Sequence, residues 1–173
     1  MPAAVHISEP IVCEYIGRAV RDVFTTMIGC KPARTTAASR AGAPAAAVVH
    51  QDDPQVVGTV GFVGECSGLI YLHFPLPFAR LCTGHLLGLS DAELAAVNDE
   101  AINDAIGELT NMTVGAFKTG LCDAGHPCTL TIPSILRGSN FTVEMISSAV
   151  RHVYHFECAG HRVTADILMR SDE

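Results

Sequence analysis

Tryptophan is absent from this 173-residue chain, and aromatic residues make up only 6% of it. A core must therefore come from Ala, Val, Ile, Leu, Met and Phe. Positive charge is scarce: 11 Lys and Arg stand against 18 Asp and Glu, a formal net charge of −7 at pH 7. That balance argues against a general affinity for nucleic acid, which needs many cations to neutralise phosphates, and against an anionic membrane surface. No apolar run is long enough to cross a bilayer. The longest uncharged run, Cys66–Ala79, falls short of the roughly 18 residues a span needs and is broken by Gly68, Pro75 and Pro77. Met1 to Pro10 carries His6 and Glu9 and no basic cluster ahead of an apolar stretch, so no secretory signal is expected. The expectation is a soluble cytoplasmic protein with a protein or small-molecule partner, no nucleic acid and no membrane.

Disorder is excluded by the 49% of apolar residues, and the length suits a single domain over residues 1–173. The cysteines, Cys13, Cys30, Cys66, Cys82, Cys122, Cys128 and Cys158, are odd in number and irregular in spacing. Without an export signal they read as reduced, mostly buried thiols.

Ile16, Val20, Val23 and Met27 recur at helical spacing, which predicts a helix over Ile11–Gly29, with Gly29 as its stop. Pro32–Pro44 reads as a loop or weak edge strand, and Ala45–His50 as a short strand. Gln55–Val63 and Gly68–Phe74 form a hairpin pattern. Gly58, Gly61 and Gly64 sit inside the first of these strands, where close backbone approach explains them better than a nucleotide fingerprint. Phe78–Leu87 predicts a short helix stopped at Gly88. Ser90 and Glu93 form a capping box, from which one long helix runs to about Leu121. Cys128–Ile132, Asn140–Met145, Val150–Cys158 and His161–Met169 read as strands. The order lacks β-α-β-α alternation. It predicts an α+β domain with helices layered on a largely antiparallel sheet.

The long helix is the informative element. On a wheel of about 100° per residue, Ile102, Ile106, Leu109, Thr113, Ala116 and Phe117 fall on one side. Asp104, Glu108, Asn111 and Gly115 fall on nearly the opposite side. Glu108 and Asn111 are i, i+3 neighbours, with side chains about 5–6 Å apart at their bases. Gly115 has no side chain to hold a partner away. A glycine inside a helix costs roughly 1 kcal/mol relative to Ala, and this helix carries Gly107 as well.

Asp104-Ala105-Ile106-Gly107-Glu108-Leu109-Thr110-Asn111-Met112, followed by Gly115 and Lys118, resembles the signature of the CheX branch of the CheC/CheX/FliY phosphatases. The resemblance extends to Val23–Gly29, Val57–Phe62, Gly68–Leu72 and Ile132–Gly138. It implies a pseudo-symmetric fold, a homodimer joined through its sheets, and removal of phosphate from the aspartyl phosphate of a CheY-like receiver in chemotaxis. The catalytic pair would be Glu108 and Asn111, with Asp104 and Gly115 on the partner-binding surface. The first helix offers only Asp22 and Thr25, or Val23 and Thr26, so one site per chain is implied. No cofactor or metal is expected in this chain; Mg²⁺ is expected on the receiver. The rival reading is a non-catalytic module that binds a receiver or flagellar component through the same helix face. An amide beside Gly115 favours catalysis, since docking alone has no special need for one.

Cys122-Asp123-Ala124-Gly125-His126-Pro127-Cys128 has no standard zinc spacing and reads as loop or buried thiols. His152 and His155, three apart on a strand, should face opposite sides; with His161 they read as surface histidines.

Overall fold

A computed structural model describes residues 7–35, 53–145 and 148–170. Helices α1 (Glu9–Ile28), α2 (Leu76–Leu87), α3 (Asp91–Ala95) and α4 (Asp99–Asp123) accompany seven strands. These are β1 (Ala33–Thr35), β2 (Gln55–Gly64), β3 (Gly68–Pro75), β4 (Cys128–Leu130), β5 (Ser134–Gly138), β6 (Ala149–Cys158) and β7 (His161–Arg170). The sheet runs β1-β6-β7-β3-β2-β4, with β5 also on β2, and every pairing is antiparallel. This is the expected α+β class.

Strand alternation sorts the two faces. Val60, Phe62, Ile70, Leu72, Phe74, Val163, Ala165 and Ile167 point into a core shared with α1, α2 and α4. Phe24, Phe74 and Phe78 cluster between α1, β3 and α2, and Phe62 meets Phe117 edge-on beneath α4. Both α1 and α2 end on glycines with positive φ, Gly29 at 61° and Gly88 at 64°, as the sequence predicts.

The strand glycines are close-approach sites. A Cβ on Gly58 would lie 1.9 Å from Thr110 Oγ1, so α4 lies directly on the β2 backbone there. A Cβ on Gly64 would lie 2.2 Å from the Pro127 carbonyl oxygen.

Several expectations are corrected. The helix opened by Ser90 lasts only through α3: its capping box forms, but the Asn98 side chain accepts the Ala101 N–H and starts a second helix. An Asn that binds local backbone breaks a helix and caps the next. Ala116 is exposed, while Ala105, Thr110 and Val114 join the buried face. Asn140–Met145 is not a strand. The chain must pass from β5 to β6 across β2, β3 and β7, so it crosses the back of the sheet and cannot pair in it; Phe141 lies 6.3 Å from His73 on β3. Ser134–Gly138, overlooked as a strand, pairs with β2. The thiol reading fails for two cysteines: Cys30 and Cys158 form a disulfide, their Cα atoms 6.2 Å apart. Of the Pro32–Pro44 stretch, Ala33–Thr35 is an edge strand on β6. Ala45–His50 lies outside the described residues.

Candidate functional site

Helix α4 runs for 25 residues over β2. Its first turn is fixed from the side by Arg137 of β5, whose guanidinium donates to Asn103 Oδ1 at 3.0 Å, the Asp99 carbonyl at 3.1 Å and Asp99 Oδ1 at 2.9 Å. Arg137 thus holds the helix that presents the polar stripe. Its role has no local signal in the sequence, because the contact joins residues far apart in the chain.

Asp104 and Glu108 are exposed; Asn111 and Gly115 are half-buried. The wheel is therefore correct about the side on which these four sit. Within the described residues no ion pair engages Asp104 or Glu108, unlike Asp99 in the first turn, which pairs with Arg137. The site is a solvent-facing carboxylate beside an amide, on a rigid helix.

The helix glycines divide by environment. A Cβ on Gly120 would press the Tyr15 ring of α1 at 2.9 Å, which is a packing reason for glycine. One on Gly107 would make ordinary contact with Ile135 at 3.9 Å. One on Gly115 would meet nothing within 4 Å. The conformational cost of Gly115 is offset by no packing inside the described chain.

Other expected residues stay apart from this stripe. Cys128 is in hydrogen-bonding reach of Cys66 and Cys122, and burial pushes its thiol up to about 12. Burial likewise raises Cys66. Such thiols are packed and protonated, consistent with a core role. Among the described residues no group of three or more His, Cys, Asp or Glu is arranged to hold a metal ion. His152 and His155 do face opposite sides: His152 stacks on Tyr154, and His155 Nδ1 lies 2.9 Å from Thr164 Oγ1. They and His161 are half-buried, so they are not free surface groups.

The family described as "Chemotaxis phosphatase CheX" matches residues 56–157. Solved structures of the same fold include a chemotaxis protein CheX from Vibrio vulnificus, 19% identical with a TM-score of 0.74, covering 94% of this chain and 97% of that one. CheX from Desulfovibrio desulfuricans is 21% identical with a TM-score of 0.71, covering 92% and 99%. A CheX–CheY–BeF3–Mg²⁺ complex from Borrelia burgdorferi supplies a third chain, 19% identical with a TM-score of 0.65, covering 92% and 98%. No match is found among curated proteins. No described helix is long and apolar enough to cross a membrane.

Proposed function

The chain belongs to the CheX family of chemotaxis phosphatases, and from that premise we propose that it hydrolyses the aspartyl phosphate of a CheY-like receiver through Glu108 and Asn111. The observation that carries the reading is the α4 stripe, where Glu108, Asn111 and Gly115 lie together on an accessible face and no contact within the described chain explains Gly115. A complex of a family relative with CheY, BeF3 and Mg²⁺ supports the choice of partner.

In this reading the water oxygen bonds to phosphorus as the bond from phosphorus to the receiver's carboxylate oxygen breaks. Inorganic phosphate leaves with the water's protons, and the receiver carboxylate is restored. Mg²⁺ on the receiver neutralises phosphoryl oxygens. The Asn111 amide offers both a donor and an acceptor, so it can hold the water in line, which is catalysis by positioning. An amide has no useful proton affinity and is no general base. Glu108 would be repelled by a phosphate; its role is a salt bridge to a receiver cation, which fixes register. Asp104 extends the acidic surface and Gly115 admits the partner backbone. No metal or cofactor of this chain's own is invoked. The homodimer implied by the resemblance is part of the proposal, and light scattering tests it.

The two residues should separate kinetically. Asn111→Ala should lower the maximal rate of receiver dephosphorylation by about 100-fold or more with little change in half-saturating concentration. Glu108→Lys should mainly raise that concentration. An Asn111→Ala variant that loses binding yet turns over normally once bound would contradict the assignment.

A further inference from the structure

Strands β4 and β5 are one edge strand interrupted by a bulge. Phe62 pairs with Leu130; the Gly61 carbonyl accepts the Thr131 backbone N–H at 2.8 Å, and the Gly61 N–H donates to the Thr131 side-chain Oγ1 at 2.8 Å. Thr59, two residues away, pairs with Ser134. Val60 alone therefore stands opposite both Ile132 and Pro133. Two residues against one is the definition of a β-bulge, a device that re-aims a side chain and that gathers near active sites.

Side-chain alternation holds up to the bulge. Cys128 and Leu130 pack toward the core, and Thr131 lies where a Cβ on Gly61 would point, 3.0 Å away on the other face. Register places Ile132 opposite core-facing Val60. It finds no place in the core: it is 87% exposed, more than any other large apolar side chain described.

Contacts at three levels place Ile132 along α4. Arg137 bonds to Asn103, Ile135 lies beneath Gly107, and Cys128 reaches Cys122. Strand and helix thus run antiparallel. Ile135 pairs with Gly58 and Ile132 stands opposite Val60, two residues along β2, so the edge advances roughly 7 Å, equal to about four or five residues of helix at 1.5 Å each. Starting from Gly107, that reaches the turn carrying Asn111. An isolated exposed isoleucine is ordinary. One thrust out by a bulge, level with the candidate catalytic turn, is positioned.

We infer that Ile132 is the apolar anchor that seats the phosphorylated receiver over Asn111, inserting into an apolar depression beside the receiver's phosphorylation pocket. The occupant follows from continuity with the α4 stripe, and the inference rests on the phosphatase reading. A buried apolar knob flanked by polar contacts is the usual form of an interface hot spot. Glu108 sets register by charge; Ile132 supplies desolvated contact on the opposite flank of Asn111.

The test is a titration of phosphorylated receiver with the wild type, Ile132→Ser and Ile132→Leu, alongside melting curves and light scattering. The half-saturating concentration should rise about 10-fold or more for Ile132→Ser, with maximal rate and melting temperature unchanged. Ile132→Leu should return within about 2-fold of the wild type. Equal half-saturation for wild type and Ile132→Ser overturns the inference and leaves the phosphatase reading intact. A lower melting temperature with a lower maximal rate makes the side chain structural and overturns it too. Weaker self-association with unchanged receiver affinity assigns the knob to a second copy of the chain. Failure of the wild type itself to bind or dephosphorylate receivers removes both readings together.

Discussion

Asp166 sits on β7 with its side chain fully buried, on the face of the sheet turned away from the helices, and the Arg151 guanidinium meets it in a bidentate pair at 2.8 and 2.6 Å. Arg151 also donates to the Val143 carbonyl at 3.2 Å, so the pair fastens the crossing segment to the sheet. Removing one partner of a buried pair leaves the other charge uncompensated. Asp166→Ala should cost about 3–5 kcal/mol, measured by urea unfolding; a loss under about 1 kcal/mol would contradict this account. Nearby, His73 is 1% exposed, lies against Tyr71 and Phe141, and has no hydrogen-bond partner among the described residues for either ring nitrogen. Burial lowers it to about 4; Arg151 and His155 push the same way and Asp166 opposes them. Burial lowers His155 as well. The folded state therefore keeps His73 neutral where the unfolded chain takes up a proton. Stability is full above about pH 6.5 and falls as pH drops toward 4, by up to roughly 3 kcal/mol from His73. His73→Phe, which keeps a ring against Phe141, should flatten that part of the stability curve. An unchanged slope would show that the loss arises elsewhere.

At the scale of elements, the position of α4 is set by what β2 lacks. Gly58 leaves room for Thr110, whose Oγ1 also donates to the Ile106 carbonyl at 2.7 Å. Gly58→Ala forces α4 off the sheet, and overpacking of this kind costs typically 1–3 kcal/mol. Because Thr110 precedes Asn111, the variant should also lose receiver-directed activity. Thr110→Ala in the same chain should relieve only part of the cost, since Thr110 Cβ would still lie 2.7 Å from the new methyl; a double-mutant cycle in unfolding free energy measures that coupling. The helix stripe was legible in the sequence because Asp104, Glu108, Asn111 and Gly115 obey one local period. The hairpin and the glycine stops of α1 and α2 were legible for the same reason. The break before Asp99 was harder to see. Ser90 gives a complete capping box, and Asn98 competes with it only through its own short-range bond to Ala101.

Across the whole molecule, the features that escaped the sequence are long-range. The bulge at Ile132 and Pro133 exists only as a difference between two pairing registers with β2. Arg137 meets Asp99 across 38 residues, and Cys30 meets Cys158 across 128. No local period encodes any of these. The same architecture gives the chain two unlike faces. One carries α4 with its accessible carboxylate and amide; the other is crossed by the segment after β5, locked over Asp166 and His73. With the proposed chemistry on the first face and the buried ion pair on the second, Asp166 and His73 variants should alter unfolding more than turnover per folded molecule.

The most direct test is the half-life of the aspartyl phosphate on a CheY-like receiver, with radiolabelled phosphate and Mg²⁺, alone and with saturating wild type or Asn111→Ala. The expected result is a marked shortening by the wild type and a half-life close to that of the receiver alone with the variant. Equal shortening by both proteins would contradict the role of Asn111. Binding without any shortening across the cognate receivers would make the α4 stripe a docking surface alone.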